Sequence, residues 1–137
     1  MSRGRREELS VAGLSPPISH YCDAVRFGDL LFVSGLVGVD GTGKVVGEGD
    51  AARQTRQIFE NLQKILAAAG AGFADVLKVT VFLTNIADRA RINPVRQEFF
   101  GATRPASTLV EVRRLVRPDL LVEIEAVVGL GRRRPIA

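Results

Sequence analysis

The chain has 137 residues, 46% of them hydrophobic and 25% charged, a composition that suits one soluble globular domain. No apolar run approaches the roughly 18 residues a membrane span needs, and no apolar stretch follows the N-terminal charges as a secretory signal would require. The single cysteine, Cys22, excludes an intrachain disulfide and suits a reducing, cytoplasmic compartment.

The net charge of +4 is not a nucleic-acid footprint. Residues 9–131 carry equal numbers of acidic and basic side chains, and the excess sits at the ends, in Arg3, Arg5 and Arg6 and in Arg132, Arg133 and Arg134. Aromatic residues make up only 6%, and none interleaves with a basic run, so neither nucleic acid nor a membrane is an expected partner. Residues 1–19, ending near Ser15-Pro16-Pro17, read as a flexible lead-in, 20–131 as a single domain and 132–137 as a basic tail.

Two strands open the domain, Ala24–Phe27 and Leu30–Val37, with Gly28-Asp29 as the hairpin turn between them. Ser34-Gly35 interrupts the second strand. A glycine there either marks a bulge or lets a ligand approach the backbone. Asp50 predicts the N-cap of a helix that runs to about Ala69 and stops at Gly70, with Ile58, Leu62, Ile65, Leu66 and Ala69 on one apolar stripe. A third strand follows at Val76–Leu83. The next helical region begins near Ile86, and Asn93-Pro94 predicts a fresh helix from Pro94 to Phe100, Asn93 serving as its N-cap.

The chain then closes with a predicted hairpin: Ala106 to Leu115, a Pro118-Asp119 turn, and Leu120 to Val128. In that last strand alternation places Leu120, Val122, Ile124, Ala126 and Val128 on one apolar face. Glu123 and Glu125 share the other, roughly 6.5–7 Å apart. A hairpin of this register sets Arg114 opposite Glu123, so the glutamates are either solvated, paired with arginine, or used as an acid or base whose pKa burial has raised. The order ββ-α-β-α-ββ predicts an α+β sandwich, one sheet with both helices on one face. The bare face predicts oligomerisation.

One histidine and one cysteine cannot make a zinc site of ordinary ligand type, so neither metal nor cofactor is expected. His20, Tyr21 and Cys22 are adjacent, and neighbours on an extended segment point apart, which argues against a Cys–His dyad within one subunit. His20 reads first as a surface or pocket-lining group, Cys22 as a small hydrophobe, and Arg96, three residues after Asn93, as a solvated arginine.

The pattern as a whole resembles the RidA/YjgF (Rid) family of small trimeric imine and enamine deaminases. The matching stretches run from about His20 to Gly129: Tyr21 with Ala24-Val25, Leu31 to Gly35, Gln57 to Leu62, Asp75 to Leu83, Pro105-Ala106 with Val110-Glu111-Val112, and Val122 to Ala126. The resemblance implies a chorismate-mutase-like fold, one mixed sheet with two helices, three copies forming a central barrel with active sites at the subunit clefts. It carries the family's pocket tyrosine onto Tyr21, its serine onto Ser34, its amide donor onto Gly35, its asparagine onto Asn93 and its water-handling glutamate onto Glu123. Where the family places a carboxylate-binding arginine after Pro105-Ala106, this chain has Ser107, and the family's cysteine two residues later is Leu109. The wording of Ser19–Val25, Ile92–Phe100 and Arg104–Thr108 is similar to that of 2-aminomuconate deaminases.

The expected function is hydrolytic release of ammonia from an enamine or imine acid, with 2-aminomuconate as the model substrate and Arg96 or His20 as the replacement cation. The alternative is a catalytically silent trimer that binds a metabolite or a protein partner. A third reading, the ribonuclease or translation-inhibitor role attached to some relatives, gets little support from a neutral core.

Overall fold

A computed structural model describes residues 4–131. Six strands form one mixed sheet: β1 (Arg6–Leu9), β2 (Ala24–Phe27), β3 (Leu30–Val37), β4 (Val76–Leu83), β5 (Ala106–Glu111) and β6 (Val122–Gly129). Helices α1 (Ala51–Ala68) and α2 (Arg89–Phe100) pack on each other and on one face of that sheet. The strand order is β1-β2-β3-β6-β4-β5, with β4 and β5 parallel and every other pair antiparallel.

Helix α1 forms as its sequence predicts. Asp50 accepts a hydrogen bond from the Arg53 amide at 3.0 Å, and the C-terminus closes through Gly70 at φ +73°. There the Gly70 amide donates to the Ala67 carbonyl and the Ala71 amide to that of Leu66, satisfying two end carbonyls. Its buried stripe, Ile58, Phe59, Leu62, Ile65 and Leu66, lies over Leu31 and Val33 of β3 and over Val122, Ile124, Ala126 and Val128 of β6. The apolar face expected for the last strand is thus the one beneath the helices.

Three expectations need correction. The first concerns the closing hairpin, which does not form. β5 pairs in parallel with β4, the arrangement an intervening helix permits, and the chain from 112 to 121 then carries β6 into the sheet between β3 and β4. Glu123 consequently sits opposite Phe82 and Val37, not Arg114. The burial of β6 explains the choice: a strand this apolar gains more between two partners than at an edge.

The second concerns Asn93, which caps nothing. α2 starts at Arg89, after a 3-10 turn whose Asn85 side chain accepts from the Ala87 amide, and runs straight through Asn93-Pro94. Pro94 gives up one bond to the preceding turn, and the burial of Ile92 and Val95 on either side holds the helix together. The third concerns the lead-in, which contains a strand. Arg6–Leu9 pairs with Ala24–Phe27 and extends the sheet by one member. The basic tail at 132–137 lies outside the described residues.

A polar clasp joins α1 to the start of β6. The fully buried Gln54 side chain donates to the carbonyls of Gly47 (3.2 Å) and Asp119 (3.0 Å) and accepts from the Leu121 amide (2.8 Å). Gln54→Ala strands those groups, so it should lower the free energy of unfolding by about 2–3 kcal/mol. Urea denaturation checks this; an unchanged midpoint would show that the clasp contributes nothing.

Candidate active site

The face of the sheet away from the helices carries the candidate chemistry. Along β3 and β6 the register runs Val33↔Ala126 and then Leu36↔Ile124, so Ser34 and Gly35 together oppose a single residue of β6. That extra residue is a β-bulge. It bends β3 beside Glu123, whose side chain lies directly over Gly35. A Cβ on Gly35 would collide with the Glu123 carboxylate, its Cδ being only 2.9 Å from the position such an atom would take. The bulge reading of Ser34-Gly35 therefore holds, and what lies against the Gly35 backbone is the chain's own Glu123 side chain.

Glu123 is half-buried, and among the described residues no side chain or amide donates a hydrogen bond to it. Its pKa is raised, first by desolvation and then by the like charge of Glu125 on the same face. Glu125, two residues along, is exposed.

A cleft of about 310 Å³ opens over this carboxyl, lined by Tyr21, Ser34, Gly35, Val37 and Glu123 and rimmed by Ile18, Ser19 and Val116. The Ser34 hydroxyl donates to the Cys22 carbonyl at 2.6 Å, so what it can offer a ligand is a lone pair. The Tyr21 hydroxyl accepts from the Ile18 amide at 3.3 Å, tying the rim to the wall. Four of the predicted residues, Tyr21, Ser34, Gly35 and Glu123, thus meet in one cleft. His20 is exposed and lies outside its lining.

The other predicted residues gather elsewhere. Ser107 pairs with Val79 and Leu109 with Val81, and both of those valines point toward the helices. Ser107 and Leu109 therefore project to the opposite side of the sheet from Glu123. Leu109 packs against the core. Ser107 lines a second cleft, of about 470 Å³, together with Asn93 and Arg96 of α2 and Thr103 and Arg104 of the connection. The Arg96 guanidinium donates to the Ser107 hydroxyl at 2.9 Å, and burial pulls its pKa below the usual arginine value. Sequence reasoning did not find Ile18, Ser19, Val37 or Val116. Ile18 and Ser19 adjoin Tyr21 and were within reach of it, whereas nothing local marks Val116, which comes in from the 112–121 connection.

This α+β sandwich, with its half-buried carboxyl over a glycine bulge, has the architecture of the RidA/YjgF proteins. The chain belongs to the Endoribonuclease L-PSP (RidA/YjgF) family, whose model matches residues 13–129. It is 43% identical over 123 residues to a RutC family protein of Pyrococcus horikoshii, covering 89% of this chain and 96% of that one. With the 3-aminoacrylate deaminase RutC of Acinetobacter baylyi it shares 39% identity over 122 residues, 89% of this chain and 96% of the relative. Among solved structures, E. coli TdcF with bound serine superposes with a TM-score of 0.83 at 35% identity, covering 90% of this chain and 98% of that one. No helix of the described residues is long and apolar enough to cross a membrane.

The raised pKa of Glu123 has a stability consequence. Below its ordinary value of 4.5 the group is protonated whether the chain is folded or not, and it imposes no penalty. As pH rises the unfolded chain ionises first, so stability falls until the folded carboxyl ionises too, and it stays lower above that point. Glu123→Gln should therefore melt higher than wild type at neutral pH, the gap closing as pH drops below 4.5. Thermal melts across that range test it; a pH-independent difference would place the effect in packing rather than in ionisation.

Proposed function

We propose that the protein is a homotrimeric hydrolytic deaminase that releases ammonia from an enamine or imine carboxylic acid, 2-aminomuconate or a similar intermediate. One observation carries this reading: a half-buried carboxyl with a raised pKa and no hydrogen-bond donor among the described residues, at the floor of an open cleft. Such a group holds a proton closer to neutral pH than an exposed glutamate does and can both give and take it. The name of the Acinetobacter relative supports the same class of reaction.

The chemistry runs as follows. Protonated Glu123 delivers its proton to the enamine carbon, leaving an iminium whose carbon is open to water. The Glu123 carboxylate then takes a proton from water as its oxygen bonds to that carbon, giving a carbinolamine. Glu123 passes that proton to the nitrogen, the C–N bond breaks, the carbinolamine hydroxyl returns its proton to the Glu123 carboxylate, ammonia leaves and a carbonyl remains. An acceptor-only Ser34 suits this sequence, since the iminium and ammonium nitrogens are donors. Tyr21 and the Gly35 backbone hold the substrate against the bulge.

The trimer is supported by the open face of the sheet. Phe27, Leu30 and Phe32 of β2 and β3 project from it, with Val110 of β5 further across, each with 39–50% of its surface exposed, apolar area that other copies would remove from water. Within one chain, moreover, Glu123 and the Arg96–Ser107 pair are on opposite sides of the sheet, so a substrate touching both needs a second copy. Sedimentation should give three chains per particle, and a stable monomer at micromolar concentration would remove the shared site.

Glu123→Gln should lower ammonia release from 2-aminomuconate about 10²- to 10⁴-fold while leaving the oligomer intact. Glu125→Gln, altering an exposed carboxylate, should stay within a few-fold of wild type. Full turnover by Glu123→Gln would refute the mechanism. A wild type that deaminates no enamine or imine acid, yet melts higher with one of them bound, would favour the silent binder.

A further inference from the structure

The cleft on the helix side of the sheet carries positive charge that no carboxylate among its lining residues balances. Arg96 and Arg104 line it, with the amides of Asn93 and Gln97 and the hydroxyls of Thr103 and Ser107, and no aspartate or glutamate contributes to its wall. Other arginines of the chain show the contrast. Arg56, Arg91 and Arg117 are each paired with a carboxylate, those of Glu98, Asp88 and Asp119, at 2.7–3.1 Å. Arg96 is half-buried, and its one hydrogen bond among the described residues goes to a neutral hydroxyl. An arginine removed from water on one side, held by one of its five N–H groups and facing a polar cavity with the rest, is arranged to receive a planar anion.

We propose that this cleft binds a carboxylate, with Arg96 as the clamp, Ser107 as the residue that positions its guanidinium, and Arg104 as a second cation that favours dicarboxylates. The assignment rests on the deaminase reading only for which molecule brings the carboxylate there. Ser107 then has a stated role. A hydroxyl accepts from Arg96 without neutralising it, so the charge stays available while the side chain's freedom is reduced. An acid at position 107 would close the site with an internal ion pair.

Muconate, a dicarboxylate without the amino group, is the probe, titrated calorimetrically into the intact protein. Wild type should bind it saturably, and sorbate, the corresponding monoacid, more weakly. Arg96→Gln should weaken muconate binding about 30-fold or more and Arg96→Lys by less, since lysine keeps the charge and loses the fork. Arg104→Gln should weaken it several-fold. Ser107→Ala should weaken it and Ser107→Thr, which restores the hydroxyl, should recover it, a rescue that a merely space-filling role would not give. Arg53→Gln, at an exposed position of α1 outside the cleft, is the control and should change nothing. Melting curves establish that each variant is folded, and Arg96→Lys carries the test if Arg96→Gln is not.

Unchanged muconate affinity in folded Arg96→Gln or Arg96→Lys would overturn the clamp, as would the absence of saturable muconate binding to wild type. Phosphate bound as tightly as muconate would overturn the carboxylate assignment in favour of a general oxyanion site, and sorbate bound equally well would overturn the preference for two carboxylates. The two readings fail separately. Muconate binding that depends on Arg96, in a protein that deaminates no enamine acid, keeps the clamp and removes the deaminase. Ammonia release with an unchanged KM in Arg96→Gln keeps the deaminase and removes the clamp.

Discussion

Everything in this structure depends on where β6 lies. It is the last strand made, yet it occupies the middle of the sheet, hydrogen-bonded to β3 on one side and β4 on the other. A strand so placed has both edges fixed, and its alternation becomes a two-sided instruction. Val122, Ile124, Ala126 and Val128 are driven under the helices, which forces Glu123 and Glu125 to the uncovered face. A carboxylate there does not have to be excused as a defect of the core. It is held on a rigid element, half out of water, and this is the situation in which a glutamate acquires a pKa useful for proton transfer.

The sheet therefore works as a partition. On one side lie the hydrophobic core and, at its margin, the cleft of Arg96 and Ser107. On the other lies the Glu123 cleft beside exposed phenylalanines. Acidic and basic groups that would neutralise each other if adjacent are kept apart by a layer of backbone and apolar side chains. Each keeps its own character: Glu123 is pushed toward its neutral form by burial, and Arg96 is bound to a neutral hydroxyl and to no carboxylate among the described residues. Helix-to-helix contacts use the opposite strategy, with Arg56 bound to both oxygens of Glu98 and lying over the Phe99 ring.

Much of this was legible from the residues. Helix α1 announced itself through Asp50, its apolar stripe and Gly70, all local signals read within a few turns. The two faces of β6 followed from period-2 alternation alone, and the bulge was implicit in a Ser-Gly pair inside an apolar strand. What failed was non-local. A proline-aspartate turn between two strand-like runs looks like a hairpin whichever strands the runs finally join, and the choice of partner was made by burial of β6, which no local pattern encodes. Asn93-Pro94 misled for a related reason. It is a good helix start in isolation, but Ile92 and Val95 bury on either side and the helix continues through it. The lead-in strand Arg6–Leu9 is polar and exposed, and only its pairing with β2 makes it a strand. The candidate site was readable where it resides in one strand or bulge, as at Ser34, Gly35 and Glu123, and silent where a distant loop supplies the wall, as at Val116.

The bulge in β3 has a consequence for how this site can change over evolutionary time. Because Ser34 and Gly35 stand against one residue of β6, the face on which each later residue of β3 emerges is set by counting: Leu36 goes with Ile124 toward the helices, Val37 with Glu123 toward the cleft. Losing one residue from the pair would restore plain alternation and exchange those two assignments, putting Leu36 beside the glutamate and turning Val37 inward. Point substitutions around the rim, at Ile18 or Val116, can reshape the cleft gradually, each tested on its own merits. The reading frame of β3 admits no such gradual path, so divergence in substrate among chains of this architecture should accumulate in the loops while the length of that strand stays fixed.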